Sequence, residues 1–323
     1  MKTTTRRHDS HAGSASPAWL LVALLLAVTA AGCSFKRVAV NKLGDALSGG
    51  GNTFASDEDP ELVKAAVPFS LKLMESLLAE SPQHRGLLSA TASGFTQYAY
   101  AFVQQDADEL EEKDFAAAEA MHLRARRLFL RARNYGLRGL EGAHPGFEKN
   151  LRADPKAAVA AARRADVTLL YWTGAAWAAA IAQGKDQPAL LAELPLMEAL
   201  IDRAAELDES FGHGALHSFL IVYEGSRVAG TGDPEARSRQ HFARAIELSG
   251  GGQAAPYVAL AETSSVKNQN LAEFQKLLRQ ALAVDPDARP EWRLANLVAQ
   301  RRARWLLGRT DQLFLVPEPA APR

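Results

Sequence analysis

Apolar residues recur three and four positions apart along most of the chain, which is the spacing of an amphipathic α-helix. Residues 86–105 show it most clearly, because Ser89, Ser93 and Gln104 lie off a single apolar stripe. The stripe consists of Leu87, Leu88, Thr91, Phe95, Tyr98, Ala99 and Phe102. The same spacing predicts further helices between residues 60 and 308, separated by turns rich in proline and glycine.

Three segments of similar sequence close three of these predicted helices. They begin at Ala204, Ala245 and Ala281, so the starting alanines are 41 and then 36 residues apart. That interval is close to the roughly 34-residue period of tetratricopeptide (TPR) helix pairs. The pattern predicts an all-α fold in which stacked antiparallel helical hairpins, as degenerate TPR-like repeats, form one compact domain over residues 60–314. A flexible tail is expected at residues 315–323.

Residues 167–182 predict an unusual helix, because these 16 residues include no charged side chain and are apolar almost all round. A helix that is apolar on every face must be buried on every face or lie in lipid, and this one is too short to span a bilayer. Two interpretations stay open. The helix either packs tightly at the centre of the stack, with Trp172 and Trp177 filling the core, or forms one wall of an apolar cavity.

The first 33 residues have the order of charged and apolar residues that is typical of an export signal. Basic Lys2, Arg6 and Arg7 precede an apolar run at residues 19–31, and small residues lead from this run to Cys33. Cys33 is the only cysteine in the sequence. The segment resembles a bacterial lipobox, in which the cysteine is acylated and becomes the new N-terminus.

We therefore expect a signal peptide at residues 1–32, lipid attachment at Cys33 and a tether over residues 33–59. Ser34, directly after the cysteine, favours an outer-membrane lipoprotein that faces the periplasm. Several acyl chains would make the anchoring effectively permanent, because each buried methylene contributes about 0.8 kcal/mol.

Charge and motifs argue against several classes of function. The mature chain carries 34 Lys and Arg against 36 Asp and Glu, so it lacks the basic excess that nucleic-acid binding needs. No nucleophile elbow, zinc-protease motif or phosphate loop is present, so we expect neither an enzyme nor a cofactor. His213 and His217 are four residues apart, but no third ligand stands at a fixed spacing, so we expect no metal site.

An acidic run at residues 106–114 is followed by a predicted helix over residues 115–140, in which five arginines lie between residues 124 and 133. They are Arg124, Arg126, Arg127, Arg131 and Arg133. Such arginines can mark a surface that binds anions or a partner. We expect the commoner arrangement, in which they pair with neighbouring acids such as the acidic run.

Several separate stretches, in a fixed order, carry a resemblance to a known family. They are Phe95-Thr-Gln-Tyr-Ala-Tyr, the segment from Arg131 to Leu140, the pair Trp172 and Trp177, the segment from Phe242 to Gly250, and Asn296 with Trp305-Leu-Leu. With these stretches the chain resembles the T-component (TatT) family, whose members are TPR-containing lipoproteins associated with TRAP transporters. The likeness extends over residues 51–314.

The resemblance implies an all-helical periplasmic lipoprotein that works beside the solute-binding P subunit of a TRAP transporter. It also implies a homotrimer with an apolar cavity in each protomer, and a hydrophobic molecule or an organic acid as the ligand. From the placement of aromatic residues we expect this cavity to be lined by Phe95, Tyr98, Phe102, Trp172, Trp177, Phe219 and Tyr223. The alternative is a purely structural TPR-like scaffold for envelope protein assembly, without a small-molecule site.

Overall fold

The computed structural model describes residues 40–47, 49, 52–225, 227 and 232–315, and all regular structure in these ranges is helical. The main helices are α1 (Pro60–Glu80), α2 (Arg85–Ala99), α3 (Phe115–Ala143), α4 (Val167–Ala182), α5 (Leu194–Leu207), α6 (Ala215–Glu224), α7 (Pro234–Ser249), α8 (Ala255–Leu260), α9 (Leu271–Ala283) and α10 (Arg293–Gly308). The predicted all-α class is therefore confirmed. The predicted signal peptide and Cys33 lie outside the described residues.

Shorter segments connect the main helices. Brief α-helices are Asn52–Ala55, Gln105–Leu110, Phe147–Ala153, Pro155–Ala160, Pro188–Leu191 and Thr310–Leu313. Single turns of 3₁₀-helix are Arg164–Asp166, Phe211–His213 and Pro290–Trp292. Helices α2 and α8 each continue into a π-helical segment, Tyr100–Gln104 and Ala261–Ser265 respectively.

Aspartate side chains fix the starts of several helices by accepting hydrogen bonds from free backbone amides. Asp59 accepts at 3.0 Å from the amides of Glu61 and Leu62 at the start of α1. Asp233 caps α7, and Pro234 occupies the first helical position. Proline has no backbone N–H, but at this position an N–H would have no hydrogen-bond partner within the helix. Both roles follow from the chemistry of these two side chains at a helix start.

The three similar helix ends found in the sequence also lie where the repeat predicts them. Helix α5 ends at Leu207, α7 at Ser249 and α9 at Ala283. Gly250 follows α7 with a φ of +59°, a left-handed conformation that glycine adopts without steric cost. These ends mark the regular part of the fold.

Helix α4 is the most enclosed helix of the described part of the chain, and close approach to α3 and α5 explains its small residues. A Cβ on Gly174 would lie 2.7 Å from Cδ1 of Ile201 in α5. A Cβ on Gly139 of α3 would lie 2.7 Å from Cδ2 of Leu169 in α4. Helix α3 runs through Gly139 and Gly142 and ends at Ala143, three residues beyond its predicted end. Gly139 allows the close approach to α4, and neither glycine ends the helix.

The helices follow one another in contact from α1 to α10, and α10 then returns to the start of the fold. Val298 of α10 is buried in the same apolar cluster as Phe95 and Phe102. The Nη1 atom of Arg293 donates to the backbone oxygen of Ser56 at 2.8 Å. The row of helices is therefore closed into a ring of contacts.

Candidate functional site

An ion-pair network holds the acidic segment after α2 against α10. Nη2 of Arg301 lies 2.8 Å from Asp106 and 2.7 Å from Glu109. Nη1 of Arg302 lies 2.6 Å from Asp108, and both side chains are largely buried. The acidic run thus has a structural task, which is to close the ring of helices.

Arg126, Arg131 and Arg133 of α3 pair with acids, but not with the acidic run that the sequence suggested. Arg131 pairs with Glu75 of α1 at 2.6 Å. Arg133 pairs at 2.9 Å with Glu193, just before α5. The acidic segment does contact α3, but its carboxylates pair with Arg301 and Arg302 of α10.

The two π-helical segments meet at Arg302. Glu262, in the second π-helical segment, forms a second ion pair with Arg302. Tyr100, in the first, is 45% exposed, yet the pKa of its hydroxyl is raised, first by loss of solvation and then by the charge of Glu262. π-Helical turns occur frequently at functional sites.

Unsatisfied polar groups surround the same position. Gln105 is 1% exposed, and neither the nitrogen nor the oxygen of its carboxamide has a hydrogen-bond partner within standard geometry. Gln105 lies near Tyr100 and acts to lower the pKa of the Tyr100 hydroxyl. The Nδ1 atom of His122 is buried and lacks a partner as well. Sequence reasoning missed this polar cluster, because its members come from distant segments and match no motif.

The first three predicted cavity residues lie together in the core formed by the N-terminal helices. Phe95, Tyr98 and Phe102 are each less than one-tenth exposed and belong to one apolar cluster. Phe95 stacks on Tyr135 with ring centres 6.1 Å apart. The hydroxyl of Tyr98 accepts a long hydrogen bond, 3.4 Å, from Arg124.

The two tryptophans of α4 occupy different environments. Trp177 is fully buried, and its Nε1 donates to Glu193 at 2.9 Å while the guanidinium of Arg133 lies 4.9 Å from its ring centre. Trp172 is only half-buried and packs edge-on against Tyr171 at 4.9 Å. Burial also raises the pKa of Tyr171 to about 12. Of the two indoles, only Trp172 therefore has surface free for a ligand.

Trp172 belongs to the least buried stripe of α4. This stripe contains Thr168, Trp172, Ala175, Ala179 and Ala182. The other faces of the helix pack against α3 and α5. One large aromatic ring and three alanines thus lie along this face of the helix.

Phe219 and Tyr223 lie on α6 and form an aromatic pair. Their rings stack with centres 5.8 Å apart, and both are half-buried. The hydroxyl of Tyr223 donates to Glu198 at 2.6 Å, and burial together with this bond raises its pKa. Val222, on the same side of α6, is 48% exposed.

The seven predicted residues therefore fall into two groups. Phe95, Tyr98 and Phe102 lie in the N-terminal cluster, whereas the tryptophans and the pair on α6 belong to the cluster around α4, α5 and α6. Trp172, Phe219 and Tyr223 are the members with exposed aromatic surface. A ligand-lining role for the seven residues stays a prediction.

A separate cleft of about 530 Å³ opens between α7, α8 and α9. Its apolar lining consists of Phe242, Ala243, Ile246, Tyr257, Leu260 and Leu277. Its polar lining consists of Arg239, Glu273, Lys276 and Gln280. Sequence reasoning missed this cleft, although the spacing of Phe242 and Ile246 four positions apart on α7 was a usable signal.

The histidines do not form the arrangement that a metal would need. Nδ1 of His217 lies 2.9 Å from Nδ1 of His241, a residue that the sequence did not single out. His213 instead packs against Trp292 with ring centres 5.3 Å apart. Among the described residues, no group of three or more histidine, cysteine or acidic side chains could hold a metal ion.

The part of the chain that the structure describes contains helices of up to 29 residues. Within that part, no helix combines the length and the apolar character needed to cross a membrane. Helix α4 is apolar enough, but it has only 16 residues.

Comparison with known proteins gives two matches. A family model described as TRAP transporter T-component matches residues 56–314. A protein of Treponema pallidum (strain Nichols), described as uncharacterized, is 30% identical over 303 residues, which cover 88% of this chain and 94% of that protein. The family match spans all the main helices and both groups of aromatic residues.

Proposed function

Because the chain belongs to the TRAP transporter T-component family, we propose that it serves a TRAP-type transport system as a periplasmic lipid-anchored protein. In this role it binds a hydrophobic or organic-acid ligand together with the solute-binding P subunit. The family match supports the link to TRAP transport. The ligand and the P subunit as partner are our extension of it.

The single observation that carries ligand binding is the open aromatic stripe of α4. Trp172 keeps exposed surface on the least buried face of α4, and the small residues Ala175 and Ala179 follow it along that face. Aromatic rings next to small side chains are typical of sites that accept apolar ligands. We place the ligand along this stripe, with the half-buried pair Phe219 and Tyr223 as further contacts.

Anchoring and assembly complete the proposal. Acylation of Cys33 would hold the protein at the outer membrane with the helical domain in the periplasm. A homotrimer would place several copies of the ligand site beside the P subunits. The middle of α1 is a place to test for contacts between copies, because Phe69 is 73% exposed there.

A second function, that of a structural scaffold without a small-molecule site, is favoured by one observation. Trp177 has no exposed surface, and Gly174 is in close contact with Ile201. The part of α4 around these residues is packed as densely as any core. The scaffold differs from our proposal in predicting that no ligand accompanies the folded protein.

The ligand proposal is tested on the full-length protein extracted from membranes, with bound small molecules identified by mass spectrometry. Trp172→Ala should lose most of the bound ligand while circular dichroism stays unchanged. Phe115→Ala is the matched control, because Phe115 is an exposed aromatic residue far from the stripe in sequence. Equal ligand content in both variants, or no ligand in the wild type, would favour the scaffold. Trp177→Ala is a poor test, because truncating a buried tryptophan costs about 3–5 kcal/mol of stability.

A further inference from the structure

We propose that the cleft between α7, α8 and α9 is a second binding site, for a small amphiphile with an apolar tail and a carboxylate head. It goes beyond the proposed function, since none of the cleft residues belongs to the aromatic stripe of α4. Three features of the cleft support it: an apolar floor, a saturated ion pair on one wall and an unpaired cation at the rim.

The floor accepts an apolar group. The rings of Phe242 and Tyr257 meet edge to face with centres 5.6 Å apart, and buried Leu260 and Leu277 lie beneath them. A volume of about 530 Å³ lies in the range of roughly 300–1,000 Å³ that is usual for small-molecule sites. Ligand binding is favoured when an apolar group of the ligand removes this apolar surface from water.

One wall of the cleft carries an ion pair in which both partners make hydrogen bonds. Glu273 accepts from Arg239 at 2.6 and 3.0 Å, one bond to each carboxylate oxygen. Glu273 also accepts from the hydroxyl of Ser265 at 3.0 Å. The bidentate geometry leaves Arg239 and Glu273 occupied with each other, so neither is available to a charged ligand.

The cation at the rim is available. Lys276 is exposed and, among the described residues, has no carboxylate within 4.0 Å, although its charge helps to lower the pKa of Glu273 from a greater distance. Gln280, one turn further along α9, adds a second donor at the same edge. Arg239 pairs with Glu235 as well as with Glu273, each at 2.6 Å, so Lys276 is the cation of the lining that an anionic group can approach. An anionic head group that can reach Lys276 is therefore favoured over a cationic one.

The test is isothermal titration of the full-length protein, held in amphipol, with octanoate and with octanol. A titration of empty amphipol supplies the blank. Lys276→Gln should weaken octanoate about three- to tenfold, the effect of one charge-assisted contact, and leave octanol unchanged. Ala243→Phe, which adds a ring at an exposed position in the cleft, should weaken both probes.

Two controls decide whether the site is this cleft. Lys149→Gln removes an exposed lysine elsewhere and should change neither affinity. Trp172→Ala should leave octanoate binding intact, so the two sites can fail independently. Our proposal is overturned when Lys276→Gln binds octanoate as tightly as Lys149→Gln does, or when Ala243→Phe binds both probes as tightly as the wild type. It is also overturned when Trp172→Ala alone abolishes octanoate binding.

Discussion

Arg302 and Asp108 form an ion pair of 2.6 Å although 194 positions separate them in the chain. Asp108 follows α2, and Arg302 lies in the last main helix. Glu262, in the π-helical segment after α8, pairs with the same guanidinium. One arginine thus links three distant parts of the sequence, and it explains how a row of helices becomes a closed ring.

Removing this arginine should destabilise the whole domain. Arg302→Met leaves Asp108 and Glu262 without their cation in a largely buried place, which costs about 3–5 kcal/mol. Chemical denaturation followed by circular dichroism measures the change. Arg304→Met is the matched control, because Arg304 is exposed on the same helix, and it should change stability by no more than about 0.5 kcal/mol. Similar stabilities of the two variants would show that the network does not hold the ring closed.

Replacing either of two glycines of α3 by alanine should change the free energy of unfolding, in opposite directions for the two positions. Gly136→Ala would place a methyl group against the hydroxyl and backbone of Thr173 in α4, which costs about 1–3 kcal/mol. Gly142→Ala meets nothing within 4 Å and should stabilise the helix by up to about 1 kcal/mol. Thermal unfolding of both variants checks the pair. A neutral Gly136→Ala would mean that α3 and α4 are less closely packed than the structure shows.

Stability should fall as the pH falls below about 6.5, because of the buried histidine pair. Burial, and for His217 also the charge of His241, lowers the pKa of both imidazoles from 6.5. The unfolded chain therefore binds protons at a higher pH than the folded chain, so protonation favours unfolding as the pH decreases. Carboxylates titrate at lower pH and contribute little in this window.

The pH effect is measured by urea denaturation at several pH values between 7.5 and 5.5. His241→Gln removes one member of the pair and should flatten the dependence. His213→Gln replaces a histidine outside the pair and should leave the wild-type slope. An unchanged slope in His241→Gln would assign the pH dependence to other groups.

Much of the helical framework could be predicted from local sequence. The segment from Val167 to Ala182 is a helix with the predicted bounds, since the charges of Asp166 and Lys185 enclose an unbroken apolar run. The cap at Asp233 followed from side-chain chemistry that acts within one turn. Short interruptions were less predictable, as at Ala192 and Glu193, which separate the brief helix Pro188–Leu191 from α5.

The candidate sites were less predictable. Composition pointed to Trp172 and Trp177 together. The rotational phase of α4 about its own axis, relative to α3 and α5, buries the indole of Trp177 and leaves that of Trp172 partly exposed. That phase depends on contacts such as Gly174 with Ile201, which no local pattern encodes. The cluster around Arg302 and the cleft beside Lys276 each join residues from separate helices, so they become visible only in the folded chain.

The central claim, a TRAP-associated periplasmic lipoprotein, is tested most directly by crosslinking in intact cells. The tagged full-length protein is purified from membranes, and its partners are quantified by mass spectrometry against an unrelated outer-membrane lipoprotein. Our account predicts strong enrichment of a TRAP solute-binding P subunit and a lipid-modified peptide that begins at Cys33. A folded, membrane-bound protein that enriches no TRAP subunit above the control would contradict it.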